Sequence, residues 1–161
     1  MTNKQGSGIV ITTIVVAMAI QIMPFPNPIA AYSPDWILLT AMYWFINTPD
    51  KFGVGYAWIT GIFTDVLTGH VLGQHALSYS LVAYLCLNVH RRFHFFPLPQ
   101  QAFLVLILLL VSRLLIYWSQ NFVAPHAVGL PYWISAFIGA LAWPFIFLLL
   151  QNFSPRYKPY G

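Results

Sequence analysis

The sequence predicts an all-α membrane protein, a bundle of six transmembrane helices. Of its 161 residues, 59% are hydrophobic and 6% are charged, whereas soluble domains carry about 25% charged residues. This small number of charged side chains would not keep a globular protein of this size in solution. We therefore expect most of the protein's surface to face lipid. The apolar residues form six segments, and the Lys and Arg residues outside them fall on one predicted side of the membrane.

The segments follow one another with short connections that contain Pro, Gly and polar residues. The first is followed by Pro24, Pro26 and Pro28 instead of a small-residue cleavage site, which predicts a retained helix rather than a signal peptide. The fifth is the longest, and Pro144 interrupts the sixth. We predict a single integral membrane domain over residues 1–161, with helices at 8–23, 34–47, 53–68, 74–89, 101–123 and 131–151.

The basic residues decide how the short second and third segments are counted, because each is below the ~20 residues of a full span. If both cross, the basic residues outside the segments share one side, and the opposite loops contain no Lys or Arg. If they merge into one span, the first lysine lies across the membrane from the arginine pair. The positive-inside rule therefore predicts six crossings with both termini cytoplasmic. The predicted topology determinants are Lys4, Lys51, Arg91, Arg92, Arg156 and Lys158.

A row of small residues with one carboxylate runs along the third predicted helix and the turn after it. Residues four apart lie close to one helical face, and small residues let helices approach closely in lipid. We interpret the row as packing within the bundle, and a groove for a partner helix is the alternative. Its last two glycines are also predicted to end the helix and shape the turn. The row consists of Gly53, Ala57, Gly61, Asp65, Gly69 and Gly73.

The carboxylate in this row, Asp65, lies in a segment that otherwise avoids charge. Three interpretations are open: it lies near the outer interface, it pairs with a cation, or it is protonated because burial disfavours the charged form. The cation within a predicted span is Arg113, and an unpaired arginine at mid-depth is costly. Our hypothesis is that Asp65 and Arg113 pair, or share a polar cavity with Ser112, Thr64 and Thr60.

A second acidic residue, Asp35, follows Pro34 at the predicted start of the second helix. A carboxylate there accepts hydrogen bonds from free backbone N–H groups and complements the helix dipole, so we predict an N-cap. Trp36 beside it is predicted to anchor the chain at the membrane interface.

We find no constellation that predicts catalysis, a metal or another cofactor. His90 and His94 are four residues apart and flank the arginine pair, but their segment is predicted as a loop that ends in Pro97 and Pro99, and no third ligand is near. The better interpretation is a basic, aromatic turn that touches anionic lipid headgroups. The bases are too few and too scattered to predict nucleic-acid binding, and Cys86 is interpreted as a small buried hydrophobe.

Several stretches together resemble the MreD family of bacterial rod shape-determining membrane proteins. They read QIMPFPNPIAAYSPDWILL, MYW, VGYAWITGIFTDVLTGHVLGQHAL and, near the end, WPFIFLLL. The resemblance spans essentially the whole chain. In the family's terms, the Gly/Asp motif corresponds to Gly61, Asp65, Gly69 and Gly73, and the Pro-Asp/Asn-Trp motif to Pro34, Asp35 and Trp36. Arg113 has no counterpart in these motifs.

The resemblance implies a non-enzymatic component of the elongasome in the bacterial cytoplasmic (inner) membrane. The implied direct partner is MreC, a bitopic protein, and through it MreB, RodA and the transpeptidase paired with RodA. The implied fold is a six-helix bundle like the substrate-binding subunits of energy-coupling-factor transporters. A small-molecule-binding transport subunit is therefore the alternative function, although the first helix, IVITTIVVAMAIQIM, lacks the Ala-x-x-x-Ala docking motif usual in those subunits.

Overall fold

The computed structural model describes residues 2–154, with side chains from residue 6 onward. These residues form helices and connecting turns without a strand, so the all-α prediction is confirmed for this part of the chain. The helices are α1 (Thr2–Ile22), α2 (Ile29–Tyr32), α3 (Trp36–Asn47), α4 (Val54–Thr68), α5 (Gln74–Phe93), α6 (Leu98–Val123) and α7 (Leu130–Phe153).

Helix α3 is the centre of the fold. Residues 37–46 are all buried, and they include Trp44, Tyr43 and Met42. A helix that is apolar all round is stable only when other elements surround it, and α1, α5 and α7 do so here. With 12 residues, α3 is about 18 Å long, shorter than the ~30 Å hydrocarbon core of a bilayer.

The remaining helices pack in chain order around this centre. Helix α4 packs on α5, α5 on α6 and α6 on α7, while the single turn of α2 packs on α7. Helix α1 packs chiefly on α3 and makes a smaller contact with α4. It is therefore the most peripheral of the long helices.

Two helices of the described chain are long and apolar enough to cross a membrane. They are α6 and α7, with mean hydropathies of 2.2 and 2.1, and the apolar part of α1, Gly6–Ile22, is shorter. The outside of the molecule also exposes large apolar side chains, including Phe122 at 89% and Phe145 at 77%. An apolar exterior of this kind suits lipid better than water.

The fold has two ends of different charge, and both names are kept below. The cationic end carries the α3–α4 turn and the α5–α6 turn, with Lys51, Arg91 and Arg92 exposed. The neutral end carries the connections 23–35, 69–73 and 124–129, which contain no Lys or Arg. The N-terminal part of α1 lies at the cationic end, because a Cβ built on Gly6 would be 3.6 Å from Lys51 Nζ.

Candidate functional site

A buried polar cluster lies at the neutral end, where α4 turns into α5. Asp65 is 0% exposed and accepts three hydrogen bonds. Its Oδ2 accepts from the Gly73 backbone N–H (2.9 Å), and its Oδ1 accepts from the His75 backbone N–H (3.1 Å) and lies 2.7 Å from His75 Nδ1. Buried carboxylates are tolerated when their oxygens are satisfied in this way. Asp65 thus fastens the turn and the start of α5 onto α4.

Two glycines give the turn the shape that this carboxylate needs. Gly69 caps α4 with φ at +68°, and Gly73 has φ at +103° just before α5. Both values lie in the left-handed region, which glycine adopts without the steric penalty of a Cβ. The prediction that these two residues end the helix and shape the turn agrees with this geometry.

The predicted ion pair between Asp65 and Arg113 is not formed. The cation beside Asp65, when protonated, is His75, and the Arg113 guanidinium instead lies 4.9 Å from the ring centroid of Tyr132. The physical reason is local: backbone N–H groups and a histidine ten residues along the chain already satisfy the carboxylate.

The residues proposed to share a polar cavity with this pair make hydrogen bonds elsewhere. The hydroxyls of Thr60 and Thr64 donate to backbone carbonyls of their own helix, those of Tyr56 and Thr60. Ser112 Oγ lies 2.6 Å from Ser78 Oγ, which joins α6 to α5. These polar side chains therefore serve helix α4 and the α5–α6 contact rather than Asp65.

The row of small residues is divided between packing and turn formation. At Gly61, a Cβ would lie 2.4 Å from the Cα of Ala76, so only glycine fits where α4 crosses α5. Ala57 is buried, whereas nothing lies within 4 Å of a Cβ built on Gly53. The tight part of the row thus faces α5 within this chain.

Asp35 caps α3 as predicted, since its Oδ1 accepts from the Leu38 backbone N–H at 3.1 Å. The same carboxylate also receives the buried Tyr79 hydroxyl, 2.9 Å from Oδ1 and 2.8 Å from Oδ2. Trp36, partly buried, donates from Nε1 to Ser33 Oγ. The sequence interpretation missed Tyr79 as a partner of Asp35. The pattern that points to Tyr79 as part of the polar cluster is its position four residues after His75, on the same face of α5.

An apolar groove opens between α1 and α7, and we call it the α1–α7 groove. Its volume is about 800 Å³, and its floor is formed by α3. It follows α1 from Gly8 to Ile20, a length of about 18 Å. It is lined by Gly8, Ile9, Thr12, Thr13, Val16, Ala17 and Ile20 of α1, by Trp36 and Thr40 of α3, and by Ile146, Leu149, Leu150 and Phe153 of α7.

A smaller groove lies on the opposite side of α1, between α1 and α4. This α1–α4 groove has a volume of about 440 Å³. Its α1 wall includes Ile11, Ile14 and Val15, and aromatic side chains of α4 such as Tyr56 and Phe63 face it. Helix α1 is thus flanked by open apolar surface on both sides.

Comparison with known proteins identifies the chain. Residues 3–153 match the family model for the rod shape-determining protein MreD. The chain belongs to the MreD family. It is 26% identical over 149 residues to the rod shape-determining protein MreD of Haemophilus influenzae, and the match covers 92% of each chain. No solved structure matches it.

Membership of the MreD family sets the class of function. Members are rod shape-determining membrane proteins and not enzymes. The described part of this MreD-family chain contains no group of three or more His, Cys, Asp or Glu residues that could hold a metal. The three hydrogen bonds to Asp65 fasten the α4–α5 turn.

The structure describes the side chains of three of the six predicted topology determinants. Lys51, Arg91 and Arg92 are exposed at the cationic end, and Phe95, two residues after the end of α5, is 87% exposed. Lys4 belongs to α1, but its side chain is outside the described part. Arg156 and Lys158 lie outside the described residues.

Proposed function

We propose that this MreD-family chain is a membrane scaffold of the bacterial cell-elongation machinery. It crosses the inner membrane six times with both termini in the cytoplasm, and it binds the bitopic protein MreC. Through MreC it connects to MreB, RodA and the transpeptidase paired with RodA, and helps to organise side-wall peptidoglycan synthesis. The observation that carries this proposal is the open α1–α7 groove, which suits a single partner helix.

The charge distribution supports the six-crossing topology. Lys51, Arg91 and Arg92 are exposed at one end, and the connections at the other end contain no Lys or Arg. This asymmetry is what the positive-inside rule expects of an even number of crossings. Helix α3 is shorter than the hydrocarbon core of a bilayer, but other helices surround it. The apolar surface that those neighbours expose therefore sets the thickness of the membrane-facing region.

The tight glycine contact is not available to a partner. Gly61 is already in contact with the α5 backbone at Ala76, so a partner helix would have to separate α4 from α5. The α1–α7 groove needs no such separation, because nothing of the described chain fills it.

The chemistry of the groove fits a transmembrane helix. In lipid, helices associate through close packing at small residues and through hydroxyl groups that bridge helices. The α1 wall offers Gly8, Thr12, Thr13 and Ala17, which are small, while α7 offers larger apolar side chains. The groove's length of about 18 Å would accept roughly three turns of a partner.

The test compares two adjacent valines on α1. Val16 lines the α1–α7 groove and is 52% exposed, whereas Val15 lines the α1–α4 groove and is 55% exposed. Val16→Phe should fill the first groove and abolish most co-purification of MreC in mild detergent. Val15→Phe is the matched control and should retain MreC.

Two other results would overturn the site assignment. If Val15→Phe alone removed MreC, the partner would occupy the α1–α4 groove and the site assignment would be wrong. If both variants retained MreC at the wild-type level, the groove would not be the binding site at all.

A small-molecule transport subunit is the second candidate, favoured by one observation. The volume of the α1–α7 groove, about 800 Å³, lies in the range of ligand pockets. Its lining, however, offers few polar groups to orient a ligand, chiefly the hydroxyls of Thr12, Thr13 and Thr40. Mass spectrometry of the purified chain would distinguish the candidates, since a stoichiometric small molecule other than a lipid is expected only for transport.

A further inference from the structure

The position of Arg113 along the bundle is fixed by its contacts with α7. The Tyr132 hydroxyl donates to the Arg113 carbonyl oxygen at 2.8 Å, and the guanidinium lies 4.9 Å from the Tyr132 ring centroid. Because Tyr132 is the third residue of α7, Arg113 is level with the first turn of that helix. It therefore lies nearer the neutral end than the cationic end, although α6 continues for ten residues beyond it, to Val123.

The length of α7 places this level near the membrane boundary. The helix has 24 residues and is about 36 Å long, slightly longer than the ~30 Å hydrocarbon core. If α7 spans the membrane, its first turn lies where hydrocarbon gives way to headgroups. An arginine there can extend its charged group outward into the headgroup layer.

No carboxylate of the described chain forms an ion pair with this arginine. No Asp oxygen of the described residues lies within 4 Å of the guanidinium. The ion pair found within that distance among these residues is that of His75 with Asp65. Asp35 is taken by Tyr79 and the Leu38 N–H. A guanidinium has five N–H donors, and one tyrosine leaves most of them available.

We propose that Arg113 binds the phosphate of an anionic lipid in the leaflet at the neutral end. A guanidinium matches phosphate geometry with two parallel N–H donors, and lipid phosphate is the abundant anion at this depth. Arg113 is partly exposed, so the phosphate has access to it. The rings of Tyr132, Trp133 and Tyr117 pack edge to face beside it, and such aromatic side chains favour the membrane interface.

The other cations of the described chain do not compete for this role. Lys51, Arg91 and Arg92 lie at the cationic end, and the connections of the neutral end contain no Lys or Arg. Arg113 is thus the fixed positive charge that this leaflet meets on the described surface.

The experiment uses the full chain in lipid nanodiscs that contain a photoreactive phosphatidylglycerol. After illumination, peptide mapping measures the label on residues 113–133, with Arg113→Gln as the test variant and Arg92→Gln as the matched control at the opposite end. Loss of the charge-assisted contact should reduce labelling of this segment about tenfold in Arg113→Gln. Arg92→Gln should label there as the wild type does, and Arg113→Lys, which retains the charge, should give an intermediate level.

Three results would overturn the proposal. They are equal labelling in wild type and Arg113→Gln, an equal loss in Arg92→Gln, and a Lys variant that behaves as Gln does while its helical circular dichroism is normal. Added inorganic phosphate separates the two sources of the anion. Loss of labelling when free phosphate is no more concentrated than the photoreactive lipid would contradict the assignment to lipid, and labelling that persists under this condition supports it.

Discussion

The α4–α5 hairpin and helix α1 use small residues in opposite ways. In the hairpin, Gly61 brings α4 against the backbone of α5, and Asp65 closes the turn with three hydrogen bonds. On α1, Gly8 and Thr12 face an open groove. Small residues therefore mark close helix contact in one region and unfilled surface in the other, and the sequence pattern alone does not distinguish the two.

The largest effect is expected at Asp65, which holds the hairpin together. Asp65→Ala removes the acceptor of two backbone N–H groups and of His75, all in a buried setting. We expect the free energy of unfolding to fall by about 3 kcal/mol or more. Thermal unfolding in mild detergent measures this, and Asp50→Ala in the exposed α3–α4 turn is the control. Equal melting temperatures for the two variants would contradict the structural role given to Asp65.

The glycine contact is expected to give the next largest effect. Gly61→Ala places a methyl group 2.4 Å from the Ala76 Cα, so α4 and α5 must move apart, with a loss of about 1–3 kcal/mol. Gly55→Ala on the same helix meets nothing within 4 Å and should be neutral or slightly stabilising. The comparison is made by unfolding in detergent, and a stable Gly61→Ala protein would show that the contact is looser than described.

A smaller loss of stability is expected when Asp35 still caps α3 but no longer accepts the hydrogen bond from Tyr79. Tyr79→Phe removes one hydroxyl that reaches both carboxylate oxygens and leaves the Leu38 N–H bond in place. The expected loss is about 1.5 kcal/mol, because the acceptor is charged and buried. Tyr84→Phe, an exposed tyrosine on the same helix, should unfold as the wild type does. If both variants are equally stable, the Tyr79 hydroxyl adds nothing to the fold.

Features that depend on neighbouring residues in the chain were predictable. The cap at Asp35 follows from a carboxylate at a helix start, and the turn glycines follow from their position after an apolar segment. The helical class follows from the apolar segments, although α7 continues through Pro144, where an interruption was expected. The Tyr43 and Trp143 rings pack on Phe147 just beyond that proline, which has no backbone N–H to donate.

Features that depend on long-range geometry were not predictable. The sequence predicts a pair of Arg113 with Asp65 because Arg113 is the opposite charge within a predicted span, whereas backbone N–H groups of a folded turn carry no signal in a sequence. Tyr79 reaches Asp35 across 44 residues. The α1–α7 groove depends on how far α1 stands from α7, and no local pattern encodes that distance.

The smallest effect is expected in the pH dependence of stability. It concerns His70, which lies in the turn that Asp65 closes. Partial burial of the ring lowers the pKa of His70, and the neighbouring His75 lowers it further, while Asp65 opposes the shift. The folded chain therefore binds fewer protons than the unfolded chain as the pH falls through about 6.5, so stability decreases in that window. His70→Gln removes this contribution, and we expect a slightly smaller loss of melting temperature between about pH 7.5 and 5.5 than in the wild type. The effect is small because His70 is exposed to solvent. An unchanged pH dependence would mean that the folded turn accommodates the protonated His70 ring as well as the neutral one. His70 would then make no contribution to the pH dependence of stability.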